Sequence, residues 1–114
     1  MKPLDWLPLV EKQLDAIALL PAGWDSNGAP SPDIHLVESA RSLIKCLAQL
    51  GAVSKPHVNP TPSGGVQFEW EIDDRYFELE VVAEHAAAYF CRDGAARVAV
   101  ECDFLFAEVL KKNT

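Results

Sequence analysis

The chain has 114 residues, 17 acidic against 10 basic, and a net charge of −7. That length implies one domain, 1–114, with room for a core. The acidity argues against direct contact with nucleic-acid backbones or anionic membranes, and favours a basic partner.

Apolar residues make up 49% and charged residues 24%, an ordinary soluble mixture. No apolar run reaches the roughly 20 residues needed to span a bilayer. The N-terminus, MKPLDWLPLVEKQLD, places acids and Pro8 among its apolar residues. It lacks the basic head and unbroken apolar middle of a signal peptide, so the expected compartment is the cytoplasm. Cys46, Cys91 and Cys102 are too scattered for a disulfide framework and form no CxxC pair.

Residues 4–20 carry helical spacing through Leu7, Val10, Leu14, Ile17 and Ala18. Pro3 and Pro8 confine the firm part of this helix to about residue 8 onward. LPAGWDSNGAPSP, residues 20–32, reads as a loop with defined turns. A second helix follows, with Ser31 as its cap, Pro32 in the first helical position and Asp33 at the positive end of the dipole. Its stripe is Ile34, Val37, Ala40, Ile44, Leu47 and Leu50, and Gly51 is the expected stop.

SKPHVNPTPSGG, residues 54–65, contains Pro56, Pro60 and Pro62, which excludes a central strand and suggests an extended edge. Residues 66–72 and 75–82 alternate as a hairpin. Turned about Asp73-Asp74, it sets Ile72 opposite Arg75, Trp70 opposite Phe77, Phe68 opposite Leu79 and Val66 opposite Val81. The other face then sets Glu71 opposite Tyr76, Glu69 opposite Glu78 and Gln67 opposite Glu80.

A second hairpin over 86–102 turns near Asp93-Gly94. Tyr89 and Cys91 share a face with Val98, Val100 and Cys102, while Phe90 and Arg92 take the opposite side. A short closing helix is expected over 104–112. The predicted class is α+β: two N-terminal helices, a four-stranded antiparallel meander and a short C-terminal helix.

The glutamate row raises the functional question. Like charges directly opposite cost up to about 1 kcal/mol unless water screens them. A basic partner would relieve that repulsion, so Gln67, Glu69, Glu71, Tyr76, Glu78 and Glu80 form a candidate partner-binding surface. A flat row of carboxylates encloses a hard cation poorly.

In GWDSNG, residues 23–28, Asp25 and Asn27 suit an Asx-type turn with Trp24 docked on the sheet, or else a ligand site beside the Trp24 ring. PTPSGG, residues 60–65, precedes a strand and lacks the length and lysine of a phosphate cradle. It reads as a bend feeding the hairpin. His35, His57 and His85 share no short spacing, and no known catalytic, metal or cofactor fingerprint occurs.

GWDSNGAPSP and PTPSGGVQFEW together resemble a group of small bacterial proteins of unknown function, with patterns like GWDG-x-GA-x-P and PTP-x-GG-x-Q-x-EW. Ser26 stands where that pattern has glycine. The resemblance implies a bacterial origin and a shared architecture, and carries no catalytic residue across. It also draws attention to Trp24, Asp25, Gln67, Glu69 and Trp70 as residues that could converge.

The leading expectation is a non-enzymatic domain that binds a basic protein, as an antitoxin, immunity protein or accessory factor would. The competing expectations are a small-molecule or metal-binding enzyme using Asp25 and the glutamate row, and a self-associating domain forming a homodimer through the second hairpin. No cofactor is expected.

Overall fold

Two helices lie against one face of an antiparallel sheet in the computed structural model, which describes residues 3–49, 54–72, 75–84, 86–93 and 99–105. The elements are α1 (Pro3–Ala18), α2 (Ile34–Gln49), β1 (His57–Pro60), β2 (Val66–Ile72), β3 (Arg75–Ala83), β4 (Ala86–Asp93) and β5 (Ala99–Leu105). Strand order follows chain order, β1-β2-β3-β4-β5. The expected four-stranded meander is β2 to β5, and the extended edge segment adds β1 beside it.

α1 begins at Pro3 and carries Pro8 inside it, earlier than the predicted firm start. Pro8 removes one hydrogen bond, the one its N–H would have given Leu4. Burial of Trp6, Leu7, Val10, Leu14 and Ile17 outweighs that loss. The helix stops at Ala18, two residues short of the expected end. Leu19 N donates to Ala16 O at 3.2 Å and Leu20 N to Ile17 O at 3.1 Å, tightening the last turn before Pro21.

The cap of α2 is Asp33 rather than Ser31. Its Oδ1 accepts the His35 amide at 2.8 Å, and its carbonyl accepts Val37 N at 3.0 Å. A carboxylate one residue from the first helical N–H groups satisfies them better than a hydroxyl three residues away, and Pro32 therefore precedes the helix. The buried arc is Val37, Ala40, Leu43, Ile44 and Ala48. It takes in Leu43 and leaves Ile34 52% exposed. Leu50 and Gly51 lie outside the described residues.

The helices are joined through Arg41. Its guanidinium meets Asp15 Oδ1 at 2.6 Å, Glu38 Oε2 at 3.5 Å and Glu11 Oε2 at 3.9 Å. One cation thus draws three carboxylates of an acidic chain together at the α1–α2 seam and offsets part of their repulsion.

The first hairpin has the predicted register throughout, from Val66↔Val81 to Ile72↔Arg75. Alternation sends Val66, Phe68, Trp70, Leu79 and Val81 into one core with both helices. Phe68 and Trp70 sit two positions apart with ring centroids 6.3 Å apart. The Trp70 indole N–H donates to Ser54 O at 2.8 Å, so its polar edge is satisfied.

The second hairpin keeps the predicted parity. Tyr89 pairs with Cys102 and Cys91 with Val100, while Phe90 pairs with Glu101 and Arg92 with Ala99. Gly94, the second residue of the expected turn, lies outside the described residues. Asp93 remains in β4, opposite Arg75 of β3. Phe104 and Leu105 continue β5 rather than starting a helix. The rest of the expected C-terminal helix, and the orientation expected of the Cys91, Val98 and Cys102 side chains, lie outside what is described.

Candidate functional site

Two groups of residues were picked out by sequence, and the fold assigns them to different layers. Trp24 and Asp25 belong to the loop joining α1 to α2, on the helical side. Gln67, Glu69, Glu71, Tyr76, Glu78 and Glu80 alternate with the core residues of β2 and β3, and so line the face turned away from the helices.

The loop is held by its own groups. Asp25 Oδ1 accepts Asn27 N at 2.9 Å and Ala29 N at 3.0 Å. These backbone N–H groups hold its carboxyl below the ordinary 3.8, with Asn27 the larger influence. Gly23 N donates to Ala29 O at 2.7 Å. The half-buried Trp24 spends its indole N–H on Pro30 O at 3.1 Å. The Asx-type turn is thus present, and Trp24 braces its own loop through that bond.

Gly23 and Gly28 both have φ of +80°, and Ser26 has φ of +64°. The left-handed conformation costs a side-chain-bearing residue about 1–2 kcal/mol. Glycine would occupy the Ser26 position without that strain, at a cost of about 0.5–1 kcal/mol in chain entropy. Ser26→Gly is therefore expected to raise stability by roughly 0.5 kcal/mol, read as a small upward shift in thermal midpoint. A fall in the midpoint would show that the Ser26 side chain stabilises the loop by more than the strain it causes.

The two motifs do meet, though not through the residues singled out. Asp33 N donates to Gly64 O at 2.8 Å. The space beside Gly64 is bounded by Pro30, Ser31 and Asp33. PTPSGG is the turn from β1 to β2, closed by Gly64 N to Thr61 O and Thr61 N to Gly65 O, both 3.0 Å. The buried Thr61 hydroxyl accepts Gly65 N at 2.9 Å. The bend expected from these residues is what forms, and the α1–α2 loop rests on it.

On the open face Glu69 stands directly opposite Glu78 and Gln67 opposite Glu80. Tyr76 donates its hydroxyl to Glu78 Oε1 at 2.8 Å. Sequence reasoning missed the contribution of β1. His57 pairs with Glu69 and Asn59 with Gln67, so both continue this face. Asn59 Nδ2 donates to Glu69 Oε1 at 3.3 Å. The signal was the alternation in His57-Val58-Asn59-Pro60, where Val58 packs against the core; three nearby prolines obscured it.

None of the ion pairs among the described residues involves Glu69, Glu71 or Glu78. Among the described residues no three His, Cys, Asp or Glu side chains come together as metal ligands. No described helix is long and apolar enough to cross a membrane. Compared with known protein families, curated proteins and solved structures, the chain matches none.

Proposed function

We propose that this protein works without catalysis, by binding a basic protein through the helix-free face of its sheet. The concrete form of the proposal is a neutralising partner of the antitoxin or immunity type, acting in the cytoplasm. Gln67, Glu69, Glu71, Tyr76, Glu78 and Glu80 supply the surface, with His57 and Asn59 at its border.

One observation carries the reading. Glu69 and Glu78 are placed opposite each other by a register that the buried face dictates, and among the described residues no cation pairs with either. A fold that needed only solubility could place its acids on diagonals. Lysine or arginine from a partner would remove the repulsion and add charge-assisted hydrogen bonds. Like-signed surface charge also speeds encounter with an oppositely charged protein, and salt weakens that steering.

The test is capture from the native cell, followed by binding measurements with the captured protein in isolation. Expected is a basic partner whose association rate falls as ionic strength rises. Replacing Glu69, Glu71 and Glu78 together with glutamine should weaken binding at least tenfold, about 1.4 kcal/mol. Binding that is unchanged by the triple replacement and indifferent to salt would remove this face from the interaction.

A further inference from the structure

The α1–α2 loop contains a reactive dipeptide that neither the core nor the acidic face uses. We propose that Asn27-Gly28 is a site of spontaneous covalent modification, in which the Asn27 amide becomes a carboxylate through a cyclic imide, and that Asp25 governs its rate.

In the first step the Gly28 backbone nitrogen attacks Asn27 Cγ. A new N–Cγ bond closes a five-membered ring. The proton of that nitrogen is lost to solvent, and the side-chain nitrogen takes one up and leaves as ammonia. Water then opens the imide at one of its two carbonyls. Cleavage of the new N–Cγ bond gives aspartate. Cleavage of the original peptide bond gives isoaspartate, with the chain rerouted through Cγ. Water is the only co-reactant, and nothing is oxidised or reduced.

The surroundings favour this chemistry at Asn27. Both residues are exposed. Gly28 has no Cβ to shield its nitrogen, and nothing lies within 4 Å of where one would stand. The chain carries its own control at Asn59, which precedes Pro60. A proline nitrogen bears no hydrogen, so it cannot form the imide by the same route.

The gate is the carboxylate of Asp25. Attack needs the Asn27–Gly28 peptide free to bring its nitrogen onto Asn27 Cγ, and any turn of that peptide carries Ala29 with it. Ala29 is held on both sides, its N–H by Asp25 Oδ1 at 3.0 Å and its carbonyl by Gly23 N at 2.7 Å. Asp25 Oδ1 also fixes the Asn27 N–H at 2.9 Å. Reaction therefore proceeds through local opening of the loop. Once formed, a carboxylate at residue 27 sits two residues from Asp25 and repels it, and isoaspartate also lengthens the backbone inside the ring these bonds close.

The experiment compares the intact protein with a synthetic peptide of residues 20–32 during incubation at mildly alkaline pH. Peptide mapping by mass spectrometry, with chromatographic separation of aspartate and isoaspartate products, follows Asn27 and Asn59. In the folded protein Asn27 should convert to both products while Asn59 stays intact. The peptide should convert at least tenfold faster, since opening breaks hydrogen bonds to a charged group. Asp25→Ala should recover much of that factor. Hydrogen exchange at the Ala29 amide of the unsubstituted protein should show matching protection, so the gate is tested even if the variant does not fold. Asn27 remaining intact both in the folded protein after a hundred peptide half-lives and in the protein unfolded in urea would overturn the site. Equal rates in protein and peptide, or an unprotected Ala29 amide, would overturn the gate.

Discussion

Gly65→Ala is expected to destabilise the domain by about 3 kcal/mol, at the upper end for overpacking. A Cβ at this position would overlap the Val81 carbonyl oxygen and crowd Thr61 Oγ1. The obstacle at Val81 is backbone in a central strand, paired to Val66 on one side and Ala87 on the other. It cannot swing aside as a side-chain tip could. Moving the new methyl outward would instead break the Thr61–Gly65 bonds that close the turn. The turn also supports the Asp33–Gly64 contact, so the α1–α2 loop would loosen with it. The measurement is urea unfolding, where the midpoint should fall with little change in slope. Gly64→Ala makes the comparison, because its neighbours stand 3.8 Å or more away and only its φ of +96° is strained. That change should cost about 1–2 kcal/mol. Equal losses at the two positions would mean the strand shifts freely at Val81.

These two glycines show where sequence reading works and where it stops. Adjacent glycines before an alternating stretch announce a bend, and a bend is what forms. Why both are glycine depends on the Val81 carbonyl, sixteen residues beyond Gly65, and on the left-handed backbone that the Asp33–Gly64 contact holds at Gly64. No local pattern contains those contacts. The first hairpin was legible to the residue because one wrong register step would turn Phe68, Trp70 and Leu79 into water. The second hairpin offered weaker instruction. Alanines at 86–88 are small side chains that specify register weakly, so parity is what the sequence makes readable there. Asp93-Gly94 looked like a tight turn on local chemistry, yet Asp93 stays in the strand opposite Arg75.

The helix ends followed a similar division. The apolar stripe of α1 was plain, but Pro8 argued for a later start, and only the burial of Trp6 and Leu7 shows why the first turn holds. Asp33 sits where the sequence predicts a dipole partner, and it is also the cap. Ser26 is the clearest case of a local exception. Its backbone is left-handed, the one non-glycine residue of which that is true among the described residues.

Phe68→Ala should be the most damaging single truncation in the sheet, at about 3–5 kcal/mol. Phe68 is fully buried among both helices, Trp70 and the β2–β3 pair. Its removal leaves a cavity in the shared core, and the paired backbone of β1 and β3 on either side limits collapse. In a domain with roughly 5–15 kcal/mol in total, that loss threatens folding itself. Glu69→Gln, one residue away and on the opposite face, should do the reverse. It removes a like-charge contact with Glu78 and leaves a neutral oxygen to accept from Asn59, so stability should hold or rise by a few tenths of a kcal/mol. Thermal unfolding of both variants side by side gives the decisive contrast. If Glu69→Gln unfolds the protein nearly as far as Phe68→Ala, the open-face carboxylates are part of the scaffold, and their repulsion needs no partner to account for it. If the two effects have opposite signs, the fold tolerates an acidic face it would be more stable without. That outcome leaves the proposed binding role as the next thing to measure on this face.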